Sequence, residues 1–116
     1  MHELGITKNI FTIVIRHARV NRVKQVVAVH LKIGALSDLE DEWIQRYFDY
    51  LSRGSVAEGA RLRIDRVPVA FQCESCSCLF ETNIKMVKEI QCPECQSRSC
   101  RLISGDEYRI ENMEVL

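Results

Sequence analysis

Two closely spaced pairs of cysteines are the residues of this sequence best suited to chemistry. Cys73 and Cys76 form one C-x-x-C pair, and Cys92 and Cys95 form a second, with fifteen residues between the two pairs. Each pair lets two thiolates converge on one ion, and two pairs complete the closed tetrahedron that is typical of structural zinc. The spacing therefore predicts one zinc site with four cysteine ligands.

Two other roles of these cysteines fit the sequence less well. A dithiol redox motif has one C-x-x-C pair near a helix start in a βαβ setting, whereas this chain has two pairs in a strand-poor loop. Catalytic zinc needs an open coordination position, which four thiolates do not leave. Cys78 and Cys100 lie outside the pairs. Cys78 is close enough in sequence to replace Cys76 as a ligand, and Cys100 is expected to be a buried or free thiol.

The N-terminus offers a second set of metal ligands. The chain begins Met1-His2-Glu3, and we expect the first methionine to be retained because the next side chain is large. The α-amine, the amide nitrogens of His2 and Glu3 and the His2 imidazole can all reach one ion. A planar set of nitrogen donors suits Ni(II) or Cu(II) and does not suit tetrahedral zinc. The alternative is a solvated terminus without a metal role, since a histidine at position 2 is by itself a weak signal.

The composition narrows the location and the partners of the protein. Its 116 residues suggest one compact unit. Sixteen basic residues balance sixteen acidic ones, whereas nucleic-acid-binding domains are usually strongly basic. No apolar run is long enough to span a membrane, and the apolar segment 10–15 is too short for a signal peptide. We therefore expect a cytoplasmic protein that binds neither nucleic acid nor a membrane.

Two amphipathic helices are predicted before the cysteines. Apolar residues at helical spacing indicate a first helix over about 4–20. A second helix should begin at a capping box formed by Ser37 and Glu40 and end near residue 53, where Gly54 can adopt the left-handed conformation. The residues predicted to face the core are Ile6, Ile10, Ile13, Val14 and His17 in the first helix and Trp43, Tyr47, Tyr50 and Leu51 in the second. The acidic residues 40–42 are expected at the positive end of the second helix.

Three strands should complete the domain. Alternation over 25–33 predicts a strand that Gly34 ends. Residues 61–67 and 108–115 form two further predicted strands, in each of which a slip of the apolar phase indicates a bulge. In the first strand, one predicted face carries Val27, Val29, Leu31 and Ile33, and the other carries Val26, Ala28, His30 and Lys32. A metal-ligand role is not expected for His30, and His17 is expected to be a packed residue.

The cysteines lie in a segment that interrupts this domain. Residues 69–103 are too few to build a core without a metal, and a hairpin over 80–87 is expected to bring the two pairs together. We therefore predict an α+β fold, with two helices packed on a small three-stranded mixed sheet and an inserted four-cysteine zinc-ribbon module. The α/β domain would comprise residues 1–68 and 104–116, and the zinc-binding domain residues 69–103.

In combination, several segments of the chain resemble the HypA/HybF family of nickel-insertion proteins for hydrogenase maturation. They lie in family order and span essentially the whole chain, and the N-terminus together with the cysteine pairs is the specific part. The segments are Met1-His2-Glu3-Leu4, Lys32-Ile33-Gly34-Ala35-Leu36-Ser37, Val56-Ala57-Glu58-Gly59, the two C-x-x-C pairs and Ile110-Glu111-Asn112-Met113-Glu114-Val115.

The resemblance implies a nickel metallochaperone, not an enzyme, that binds Ni(II) near its N-terminus and carries a structural zinc. His2 would bind nickel together with the backbone of Met1 and Glu3, and the four paired cysteines would bind zinc. The implied partners are the GTPase HypB and the large subunit of [NiFe]-hydrogenase, and a homodimer is left open. Gly5 departs from the serine or threonine of many relatives and should loosen the start of the first helix.

A second function from another class remains open at this point. A zinc ribbon can also be an interaction module that binds protein or nucleic acid and carries no transient metal. A basic groove on the ribbon would favour that alternative, but basic and acidic residues are mixed between Cys73 and Cys100.

Overall fold

The computed structural model describes residues 2–83 and 86–116, and for His2 and Glu3 it describes the backbone only. The elements are α1 (His2–Val20), β1 (Val26–Gly34), α2 (Asp41–Leu51), β2 (Arg61–Val67), β3 (Ala70–Cys73), β4 (Leu79–Glu81), β5 (Cys100–Ser104) and β6 (Tyr108–Val115). One sheet has the strand order β2-β1-β6 and the other has the order β4-β3-β5. The predicted α+β class, with two helices, a three-stranded sheet and an inserted four-cysteine module, is confirmed.

The chain forms two compact units, which are interleaved in sequence. The first unit comprises residues 1–32, 39–65 and 109–116, and the second comprises residues 33–38 and 66–108. The domain division predicted from the sequence stays a prediction, as do the bulges expected in β2 and β6.

Helix α1 buries a stripe that only partly matches the predicted one. Ile10 and Val14 are buried as expected, but Ile13 is 41% exposed and His17 is exposed. The buried stripe continues instead through Thr7, three residues before Ile10, and Ala18, four residues after Val14. Position 13 lies about 100° around the helix from the centre of the buried stripe, because an α-helix has about 3.6 residues per turn. His17 lies nearer to the stripe but is exposed, so the prediction of a packed His17 is wrong.

Helix α2 begins later than predicted and turns a different face to the core. Its first residue is Asp41, and Glu40 is the N-cap without a side-chain cap, so the predicted capping box is wrong. The buried residues are Ile44 and Phe48. The predicted inner face is wrong, since Trp43 is 46% exposed and Tyr50 is 64% exposed.

Phe48 joins the two helices. Its ring meets that of Phe11 edge to face, with 6.0 Å between the ring centroids, and its side chain is fully buried. Two other aromatic residues of α2 contact each other, with 6.0 Å between the ring centroids of Trp43 and Tyr47. The Arg46 guanidinium lies 4.9 Å from the centroid of the Trp43 ring.

Strand β1 is central in its sheet and buries residues on both faces. Leu31 and Ile33 are buried as predicted, but Val27 is 40% exposed while Val26 and Ala28 are buried. This burial does not contradict the predicted alternation, because Val29 is buried on the same face as Leu31 and Ile33. Residues 26–29 are all apolar, so in this part of the strand the sequence does not show which face is the more buried.

The second sheet is built around β3. Strands β4 and β5 both pair antiparallel with it, and Phe71 stacks on Phe80 of β4 at 5.9 Å between ring centroids. The hairpin predicted over 80–87 is wrong where the structure describes it, because Leu79–Glu81 pairs with β3. Ile84 and Lys85 lie outside the described residues. The first cysteine pair is thus part of the turn between two paired strands.

Two glycines allow the backbone of the second unit to pack closely. A Cβ atom on Gly34 would fall on the carbonyl group of Gly105, and a Cβ atom on Gly105 would lie 2.7 Å from the Cα of Val69. Gly105 also has φ +112, which side chains rarely allow. The Gly105 carbonyl accepts a hydrogen bond from the N–H of Leu36 (2.9 Å). The end of β1 therefore requires glycine, which is consistent with the predicted strand end.

Candidate metal centre

The first cysteine pair lies in the tight turn between β3 and β4. The Cys73 N–H donates to the carbonyl of Cys78 (2.9 Å), and the Ser77 N–H donates to the carbonyl of Cys73 (2.9 Å). Ser77 has the left-handed φ of +64, which costs a non-glycine residue about 1–2 kcal/mol. The N–H groups of Ser75 and Cys76 point at the Cys73 sulfur, at 3.3 Å and 3.4 Å.

The second cysteine pair lies in a turn of the same design. The Cys92 N–H donates to the carbonyl of Ser97 (2.9 Å), and the Gln96 N–H donates to the carbonyl of Cys92 (2.8 Å). Gln96 has the same φ of +64 as its counterpart in the first turn. The hydroxyl of Ser97 hydrogen-bonds that of Ser75 in the first turn (3.0 Å). Two equivalent turns therefore face each other, and each presents two thiols.

The four sulfur atoms of the two turns lie within 4.8 Å of one another. Sγ of Cys73 is 3.5 Å from that of Cys95, and Sγ of Cys76 is 3.6 Å from that of Cys92. A tetrahedral zinc ion with Zn–S bonds of about 2.3 Å places its sulfurs about 3.8 Å apart. The group therefore fits zinc in donor type, number and spacing. Cys73 and Cys92 are buried, and the second cysteine of each pair is exposed.

The backbone divides the four thiols into two kinds. The Cys76 N–H, above all, lowers the pKa of Cys73 to about 6, and the Cys95 N–H is the main cause of the lowered pKa of Cys92. The Cys78 N–H lowers the pKa of Cys76. The hydrogen bond of the Cys76 thiol with Cys92 and the burial of that thiol together outweigh this effect and raise its pKa to about 12. The buried cysteine of each turn is thus the readier thiolate, and a metal ion must displace a proton from its exposed partner.

Cys78 and Cys100 do not belong to the four-sulfur group. The thiol of Cys78 donates to the carbonyl of Leu79 (3.7 Å), and that of Cys100 donates to the carbonyl of Ser97 (3.6 Å). Burial, followed by the charge of Cys92, raises the pKa of Cys78. Burial, followed by the charge of Cys73, raises the pKa of Cys100. The structure therefore brings Cys76 into the group in preference to Cys78, and it places Cys100 beside a buried ligand position, which the sequence did not indicate.

The sequence offers further candidate metal ligands at its N-terminus and at two other histidines. Met1 and the side chains of His2 and Glu3, on which the predicted nickel site depends, lie outside the described residues. His17 is exposed on α1. His30 Nε2 lies 2.7 Å from a carboxylate oxygen of Glu114, in an exposed pair between β1 and β6. In the described part of the chain, no second group of three or more metal-binding side chains is found.

A closed four-thiolate module in a small α+β protein defines a metal-binding protein in which the metal supports the fold. The chain belongs to the HypA family, because the family model described as "Hydrogenase/urease nickel incorporation, metallochaperone, hypA" matches residues 1–115. The resemblance seen in the sequence is thereby confirmed. In the described residues, no helix is both long enough and apolar enough to cross a membrane.

Several relatives match the chain over nearly its whole length. Hydrogenase maturation factor HypA of Geobacter sulfurreducens is 36% identical, with 99% of each chain covered. Hydrogenase maturation factor HybF of Salmonella typhimurium is 33% identical, again with 99% of each chain covered.

Two solved structures have the same fold. The solution structure of a HypA protein has a TM-score of 0.75 and 26% identity, and covers 100% of this chain and 97% of that chain. The solution structure of the Ni metallochaperone HypA from Helicobacter pylori has a TM-score of 0.68 and 24% identity, and covers 98% of this chain and 97% of that chain. The second likeness concerns the fold alone.

Proposed function

We propose that this protein binds Ni(II) at its N-terminus and delivers it to the large subunit of a [NiFe]-hydrogenase during maturation, together with the GTPase HypB. The observation that carries the proposal is the family match over residues 1–115, which includes the N-terminal Met1-His2-Glu3. The protein acts as a carrier and not as an enzyme. We propose a cytoplasmic location without nucleic-acid or membrane partners. The zero net charge supports the absence of a nucleic-acid partner.

The proposed nickel ligands are the amine of Met1, the imidazole and amide of His2, and the amide of Glu3. Helix α1 begins at His2, and the first four N–H groups of an α-helix have no acceptor within the helix. Nickel can therefore displace the amide protons of these two residues without breaking a helical hydrogen bond. The planar nitrogen donor set that results is one that suits Ni(II).

Nickel titration of the zinc-loaded, untagged protein tests this site. His2→Ala should abolish tight binding, because it removes the imidazole. Glu3→Ala is the matched control and should bind nickel as the wild type does, because only the backbone of Glu3 is a ligand. Two residues added before Met1 should also abolish tight binding, because they displace the amine. If the extended protein binds nickel as tightly as the native one, the site is wrong, and a zinc-ribbon interaction module without metal cargo becomes the better explanation.

We further propose that Cys73, Cys76, Cys92 and Cys95 are the ligands of one structural zinc ion. Bound zinc would supply a single crosslink between the two turns and thereby part of the folding free energy of the second unit. Four thiolates leave no position for water or substrate, so the ion has no catalytic role.

Zinc content and thermal unfolding test this assignment. The wild type should hold one zinc per chain with only sulfur in its first shell, as X-ray absorption can determine. Cys92→Ala should lose zinc and unfold the second unit, whereas Cys78→Ala, which removes a neighbouring thiol outside the group, should keep both zinc and fold. Nitrogen or oxygen ligands at neutral pH, or equal zinc loss in the two variants, would contradict the assignment.

A further inference from the structure

Cys100 lies directly opposite a proposed zinc ligand across two paired strands. The register of β3 and β5 places Cys73 beside Cys100, and the next residues along are hydrogen-bonded, from the Glu74 N–H to the Ser99 carbonyl (2.8 Å). Hydrogen-bonded and non-hydrogen-bonded pairs alternate in an antiparallel ladder, so Cys73 and Cys100 form a non-hydrogen-bonded pair. The Cα atoms of such a pair are about 4.5 Å apart, within the range of about 4.4–6.8 Å that a disulfide requires.

Side chains directly opposite each other in such a pair lie on the same face of the sheet, with Cβ atoms about 4.5–5.5 Å apart. The thiol of Cys100 is half-buried. It does not belong to the four-sulfur group, so a zinc ion bound by that group would leave it uncoordinated. We propose that Cys73 and Cys100 form a redox switch, in which oxidation joins the two sulfurs and opens the zinc site. The proposal rests on the zinc ligands proposed above.

The oxidant that the switch requires is a peroxide. The Cys100 sulfur takes one oxygen from hydrogen peroxide, so that the O–O bond breaks, a sulfenic acid forms and water leaves. The Cys73 thiolate, which would give up its bond to zinc in this step, then attacks the Cys100 sulfur. The S–S bond forms as the S–O bond breaks, and the departing hydroxide takes up a proton to give a second water. Two thiols have lost two electrons, and Cys73 has lost the thiolate charge that a zinc ligand needs.

Cys78 is the matched comparison within the same module. It is also an uncoordinated thiol, and the charge of the other buried cysteine, Cys92, contributes to its raised pKa after burial. It is hydrogen-bonded to Cys73 through the backbone, and it has no strand register that places it opposite Cys92. Because the backbone does not hold Cys78 and Cys92 in a disulfide geometry, the two uncoordinated thiols should respond differently to peroxide.

Zinc release measured with a chromophoric chelator, followed by peptide mapping of the disulfides, tests the switch in the full-length zinc-loaded protein. Hydrogen peroxide should release zinc from the wild type and give a peptide that links Cys73 to Cys100. Cys100→Ser should release zinc severalfold more slowly and lack that peptide, and Cys78→Ser should behave as the wild type does.

Three results would overturn the proposal. They are zinc release from Cys100→Ser at the wild-type rate, equal slowing in Cys78→Ser, and a wild-type peptide map in which Cys73 is joined to a cysteine other than Cys100. The zinc content before oxidation separates this test from that of the zinc site. One zinc per chain in the wild type upholds the site whatever peroxide does, and the peptide map of the wild type decides the switch even if Cys100→Ser fails to fold.

Discussion

The replacement of Phe48 by alanine should destabilise the first unit more than any other single change on α2. Phe48 is fully buried and meets Phe11 edge to face. Removal of a buried phenylalanine side chain costs about 3–5 kcal/mol, because apolar burial is lost and a cavity remains. Domains of this size have unfolding free energies of about 5–15 kcal/mol, so the variant should lose a large part of its stability.

Trp43→Ala is the matched control on the same helix. Trp43 is 46% exposed, and its ring contacts the Arg46 guanidinium at 4.9 Å and the Tyr47 ring at 6.0 Å between centroids. An exposed cation–π contact contributes about 0.5–1 kcal/mol, so the loss of the larger aromatic side chain should have the smaller effect.

Urea unfolding of the zinc-loaded variants, followed by far-UV circular dichroism, measures both values. The midpoint should fall strongly for Phe48→Ala and little for Trp43→Ala, with the denaturant slope unchanged. If Trp43→Ala costs as much as Phe48→Ala, then Trp43 faces the core, and the position of α2 deduced from burial is incorrect.

The remaining predictions concern glycines, turns and pH. Gly5→Ala should raise the unfolding free energy by about 0.5–1 kcal/mol, since a Cβ at position 5 meets nothing within 4 Å. Gly34→Ala should strongly destabilise the protein, because a Cβ at position 34 meets the Gly105 carbonyl. Thermal unfolding measures both effects. Ser77→Gly should raise the thermal midpoint of the zinc-loaded protein by removing roughly 1 kcal/mol of left-handed strain, and an unchanged or lower midpoint would count against that strain. Zinc affinity measured in metal buffers should rise with pH, because Cys76, with its pKa raised to about 12, must lose a proton when the metal binds; an affinity independent of pH would show that no proton is displaced. Nickel affinity measured by isothermal titration should fall between about pH 7.5 and pH 6, where amines and imidazoles take up protons, and a flat profile would exclude the amine and the amides as ligands.

The sequence indicated the metal centre because its ligands are close in the chain. Two C-x-x-C pairs define two turns by local geometry alone, and the turns that form around Cys73 and Cys92 share the same hydrogen bonds and the same left-handed residue. The bounds of β2 and β6 were likewise predictable, since short strands flanked by turn residues carry a local signal.

The buried faces of the helices and of β1 were decided by tertiary packing. Each helix carries apolar residues on more than one side, so the helical periodicity fits several apolar stripes. The structure shows which stripe is buried and places Phe48 of α2 against Phe11 of α1. In β1, four consecutive apolar residues at positions 26–29 remove the alternation that would identify a face.

The sequence by itself determined that this chain holds a four-cysteine module in an α+β protein of the HypA family, because these features depend on local spacing and on motifs in a fixed order. Only the tertiary structure decided that Cys100 lies opposite Cys73. These two residues are far apart in sequence, and the register that brings them together is set by pairing of β3 with β5. A strand register depends on long-range contacts, and a shift of one residue would turn every side chain to the other face.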